Sequence, residues 1–82
     1  LVTPLTRFNM YRVIYRSKSP FSKVKLDKRL KRILEIGLLE AKSTTDELLD
    51  KQTVTFESIN SRQADQLLKL AVDEGIDAFK EQ

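Results

Sequence analysis

Carboxylate pairs such as Asp46 and Asp50, or Asp73 and Asp77, stand four residues apart. On a helix that spacing puts both acids on one face, where they could hold a metal ion, although exposed helical faces carry the same spacing routinely. Nothing else in the chain supports them. It has no Cys and no His, so a thiol nucleophile, an imidazole base and the usual zinc ligand sets are all missing. No phosphate-binding loop, nucleophile elbow or dinucleotide fingerprint is present. The expectation is a non-enzymatic protein with no catalytic residue, no metal and no cofactor.

A different chemistry is written in residues 23–42, "KVKLDKRLKRILEIGLLEAK", which carry six basic side chains in their first ten positions and then turn apolar. At 100° per residue with Leu26 at zero, Leu30, Ile33 and Leu34 fall at about 40°, 340° and 80°, a face suited to a core. Lys31, Val24 and Lys28 fall at about 140°, 160° and 200°, on the opposite side. Lys25, Arg29 and Arg32 widen that positive surface. An apolar residue set among outward cations gains roughly 1 kcal/mol when a partner covers it, which makes this face the candidate contact site. The bland alternative is a solvated lysine-rich face. A third reading, nucleic-acid binding by the same helix, ranks lower because the segment offers neither stacking aromatics nor a glycine-rich loop.

The elements that must position this helix come from a chain of 82 residues, long enough for one small core and no second. A hydrophobic fraction of 40% beside 33% charged residues fits a folded domain rather than a disordered one. No apolar run approaches the roughly 18 residues of a membrane span, and no signal peptide is evident, so no membrane partner and a cytoplasmic location are expected. Residues 1–42 carry 11 Lys or Arg against 3 acids and residues 43–82 carry 4 against 9, so that halves of +8 and −5 make up the net +3. Such asymmetry favours an oriented electrostatic encounter.

Residues 1–9 show no usable periodicity and are expected to be an appended leader, with a single domain over 10–82. "MYRVIYR", residues 10–16, alternates and is rich in β-branched and aromatic residues, which predicts a strand. Pro20 ends it, and Ser22 can cap a helix running from Lys23 to about Ile36. Gly37 is expected to terminate that helix in the left-handed conformation. A second helix is predicted over 38–51, with Leu38, Ala41, Leu48 and Leu49 buried. "QTVTFESI", residues 52–59, reads as a strand on its content although Val54, Phe56 and Ile59 alternate imperfectly. Asn60 or Ser61 then caps a third helix with Ala64, Leu67, Leu68 and Ala71 inward, Gly75 stops it, and residues 76–82 supply a last strand through Ile76, Ala78 and Phe79. The order β-α-α-β-α-β predicts an α+β fold, a three-stranded sheet with three helices packed on one face.

With these residues in place, "KVKLDKRLK…GLLEAK", followed by Ile59, Ala64, Leu67 and Gly75, resembles the C-terminal domain of the bacterial ribosomal stalk protein, over roughly residues 10–82. The resemblance implies a domain that recruits translation GTPases through an electropositive surface on its first two helices. Carried across by position, the contact residues are Lys23, Val24, Lys28, Lys31, Gly37, Leu38 and Lys42. Asp27 stands where that family has an aliphatic residue, Leu39 replaces a lysine, and the stretch from Lys42 to Ile59 is about three residues longer. The opening "YRVIYRSKS" also looks like the ClpS adaptor of AAA+ proteases, which shares the fold. Ser17, Lys18 and Ser19 replace its acidic recognition element, however, and a His-free chain cannot supply its histidine. The stalk protein's dimerisation domain and hinge have no counterpart before Met10, so a free-standing module is expected: a fragment, a paralogue, or a phage-encoded mimic. Expected partners are a translation GTPase, another ribosome-associated factor or a AAA+ protease.

Overall fold

A computed structural model describes residues 10–17 and 20–81; the proposed leader, residues 1–9, lies outside them. The chain runs β1 (Tyr11–Arg16), α1 (Lys23–Leu34), α2 (Leu38–Lys51), β2 (Thr53–Ile59), α3 (Ser61–Glu74) and β3 (Asp77–Glu81). This is the expected α+β order. Strand β1 takes the centre of a sheet ordered β2-β1-β3 and pairs antiparallel with both neighbours.

Alternation in β1 decides which face the helices cover. Val13 and Tyr15 are fully buried, whereas Arg12 and Arg16 are exposed, as period-two geometry requires of a half-covered sheet. On the uncovered face, Arg12 reaches Glu57 at 3.1 Å and Glu81 at 3.4 Å, and the Arg16 guanidinium sits 5.7 Å from the Phe79 ring centre. Phe79 is thus half exposed rather than part of the core. The imperfect alternation of β2 has a local cause. Tyr11 faces Ile59 but Val13 faces Phe56, so β2 carries one extra residue there, and Ser58 adopts φ 58°. This bulge returns Ile59 to the inner face.

Beneath the helices Tyr15 is the central side chain. Its ring meets Phe56 edge-on with centroids 4.9 Å apart, and its hydroxyl donates to the Leu67 carbonyl of α3. Burial pushes that hydroxyl above its ordinary value of 10.0, against the opposing influence of Arg29. Leu26 and Leu30 from α1, Ala41 and Leu48 from α2, and Ala64, Leu67, Leu70 and Ala71 from α3 close the core. Leu68, expected to be inward, is only partly buried.

Capping explains the helix limits. The Ser22 hydroxyl accepts from the Lys25 amide at 3.4 Å, and Asn60 forms a capping box with Gln63, whose amide donates to Asn60 Oδ1 at 2.8 Å. Gly75 ends α3 at φ 70°. The end of α1 corrects the sequence reading. The left-handed residue is Glu35 at φ 55°, while Gly37 has φ −73° and ψ 164° and caps the start of α2. The chain turns early because Ile36 packs against the core, and its amide closes on the Lys31 carbonyl at 3.3 Å. No helix among the described residues is long and apolar enough to cross a membrane.

Candidate functional site

Helix α1 buries one flank and offers the other. Leu26 and Leu30 have essentially no exposed surface, which fixes the rotation of the helix and turns Val24, Lys28 and Lys31 outward. Val24 is 62% exposed. Lys28 and Lys31 join Arg32, Glu35 and Ile36 around a shallow recess of about 530 Å³ at the C-terminal end of α1. Among the described residues neither lysine makes an ion pair, so their charge is available to a partner.

Helix α2 supplies the adjoining stripe. Leu38, Lys42 and Asp46 recur at four-residue intervals and so share one edge. Lys23 ties that edge to α1 by an ion pair with Asp46, and this hydrogen bond, with the nearby charges of Asp46 and Asp27, raises the Lys23 pKa against the opposing cost of desolvation. Six of the seven expected contact residues therefore lie on the two joined helices and Gly37 caps the start of α2, but Lys23 is neutralised internally. Lys42, exposed and unpaired among the described residues, is a freer charge.

Two leucines correct the expected burial pattern. Leu38 is 45% exposed and Leu49 is 47% exposed, because both sit about 60–80° from the Ala41 direction on α2, at the rim rather than the centre of its buried stripe. For Leu38 this leaves an apolar group beside Lys42 that a partner could cover. Gly37 contributes no special conformation, and a Cβ added there would meet nothing within 4 Å.

Sequence reasoning missed Leu39 and Ile36. Leu39, 83% exposed, points away from the core about 160° from Ala41, which a helical wheel of 38–51 shows directly. Ile36 became visible only when the turn at Glu35 placed it in the recess. Asp27, conspicuous where an aliphatic residue was expected, is buried, and its Oδ1 has no hydrogen-bond partner.

In each carboxylate pair one acid is already taken by a cation. Asp46 is engaged by Lys23 and Asp73 by Arg29 at 2.9 Å. Asp77 lies on β3 opposite Arg16, beyond the end of α3, so it shares no helix face with Asp73. Comparison with known proteins finds no family model and no curated relative that matches the chain.

Proposed function

We propose that this domain is a non-enzymatic docking module that presents α1, the following turn and the first turns of α2 to a protein partner with an acidic or mixed surface. The observation that carries this reading is the exposure of Val24 between Lys28 and Lys31, which make no ion pair among the described residues, on a helix whose other flank is sealed into the core. In this scheme Lys28, Lys31 and Lys42 steer the encounter, and Val24 and Leu38 supply the desolvated contact. Covering Val24 alone is worth about 1 kcal/mol. The resemblance of residues 23–42 to the ribosomal stalk C-terminal domain favours a translation GTPase or another ribosome-associated factor, with a AAA+ protease as the partner class suggested by the ClpS-like opening.

The test is affinity capture from the native lysate with the wild-type domain and a Val24→Asp variant of unchanged circular dichroism. The reading requires a partner that the wild type retains and the variant loses. With that partner purified, Lys28→Glu together with Lys31→Glu should slow association far more than it speeds dissociation; equal capture by Val24→Asp, or unaltered association, defeats the reading. The competing reading, nucleic-acid binding by the same helix, is favoured only by the run of cations along α1. It requires duplex or single-strand retention whose affinity falls steeply with salt.

A further inference from the structure

Helices α1 and α3 enclose a second recess, centred about 110° around α1 from Val24. It measures about 340 Å³, and its walls are Lys28, Arg29, Arg32 and Ile33 from α1 with Gln66 and Lys69 from α3. Two cross-helix bonds hold these walls in place. Arg29 meets Asp73 at 2.9 Å on one side, and the Gln63 side-chain amide donates to the Ile33 carbonyl at 3.3 Å on the other. Of the four cations only Arg29 is compensated; among the described residues Lys28, Arg32 and Lys69 form no ion pair. Three uncompensated positive charges thus converge on one preformed groove.

We propose that this furrow seats an extended acidic peptide segment of a protein partner, at a site that adjoins the Val24 face and shares Lys28 with it. Arg32 also lines two neighbouring recesses toward the C-terminal end of α1, both bordered by Glu35, and a cleft that runs on in this way suits a strand-like occupant better than a compact ligand. Lys28 and Arg32 are one helical turn apart, about 6 Å along the axis, close to the roughly 6.6 Å between residues i and i+2 of an extended chain. Acids at alternate positions therefore meet both cations, with the Arg32 guanidinium able to take a carboxylate in bidentate fashion. Gln66 can both donate to and accept from the peptide backbone, and half-buried Ile33 offers an apolar floor to the intervening side chain. A single-stranded nucleic acid would be expected to find stacking aromatics, and none of the six lining residues is aromatic.

The experiment is fluorescence polarisation at low salt with a labelled octapeptide of alternating glutamate and valine. An octapeptide of alternating glutamine and valine and an oligothymidylate of matching charge serve as the comparison ligands. The glutamate peptide should bind best. Lys69→Glu and Arg32→Glu, both at exposed positions and checked for unchanged circular dichroism, should each weaken it about tenfold or more, while Lys42→Glu on the other face leaves it unchanged. Tighter binding of the oligothymidylate, equal binding of the glutamine peptide, indifference to Lys69→Glu, or equal weakening by Lys42→Glu each overturns the proposal. Because Lys69 and Arg32 are not among the Val24-face contacts, failure here leaves the docking reading intact, and failure of Val24→Asp leaves this one intact.

Discussion

Replacing Tyr15 by Phe should cost the fold about 1 kcal/mol at neutral pH and yet make it the more stable variant at high pH. The ring stays, so its fully buried surface and its edge-on contact with Phe56 are retained. What is lost is one buried hydrogen bond to the Leu67 carbonyl. That carbonyl lies inside α3 and keeps its helical partner, so the cost stays near the usual net value of about 1 kcal/mol rather than the larger penalty of an orphaned acceptor. For a domain of this size the melting temperature falls by about 4–8 °C.

The sign reverses in alkali. Burial raises the folded-state pKa of the Tyr15 hydroxyl above its ordinary 10.0. Below pH 10 the group is protonated in both states and exerts no pH dependence. Above it the unfolded chain loses the proton while the folded chain retains it, and wild-type stability falls by about 1.4 kcal/mol per pH unit until the folded-state hydroxyl ionises as well. The Phe variant has no such loss, and all other titrating groups are common to both proteins. The two stabilities should therefore cross at about pH 10.7, where the linkage loss equals the hydrogen bond's roughly 1 kcal/mol. Urea unfolding followed by far-ultraviolet circular dichroism at pH 8 and at half-unit steps from 10 to 11.5 measures both. A gap that stays constant across that range would refute the argument, because it would mean that the hydroxyl ionises equally easily in the folded and unfolded chains.

Asp27 and the two glycines give further tests. Asp27→Leu removes a buried carboxylate oxygen that has no partner and fills the site with aliphatic volume, so it should raise stability by about 1–2 kcal/mol, seen as a higher urea midpoint with unchanged slope. Gly37→Ala, at φ −73° with open space around its Cβ, should be neutral or stabilise by about 0.5 kcal/mol. Gly75→Ala, forced to φ 70°, should lower stability by about 1 kcal/mol; thermal melts of the two variants, compared side by side, should shift in opposite directions or differ by several degrees.

What could be read from residue order was what periodicity controls. The outward direction of Val24 follows from Leu26, Leu30, Ile33 and Leu34 sharing one side of a 3.6-residue repeat, and β1 follows from Val13 and Tyr15 alternating with arginines. Features set by tertiary contact escaped. Glu35 takes the left-handed turn two residues before the obvious glycine because seating Ile36 against the core outweighs the conformational cost at a non-glycine residue. Thr45 is fully buried although polar, its hydroxyl satisfied locally by the Ala41 carbonyl at 3.1 Å. Leu38 and Leu49 are chemically indistinguishable from core leucines, and the direction in which α2 faces the core, marked by Ala41, Thr45 and Leu48, leaves both at its rim and half exposed. The α1–α3 furrow depends on which helices become neighbours, which no single-helix pattern specifies.

The extra residue at Ser58 also bears on how the protein behaves when concentrated. β2 borders the sheet, and a straight border strand with free amides and carbonyls is a template on which a like molecule can add. The positive φ at Ser58 breaks the regular ladder beside Tyr11, coiling that border so that only the Thr53–Phe56 stretch remains regular enough to pair. A chain shortened by that one serine would keep a longer, flatter rim and, with it, a route to end-on growth into fibrils.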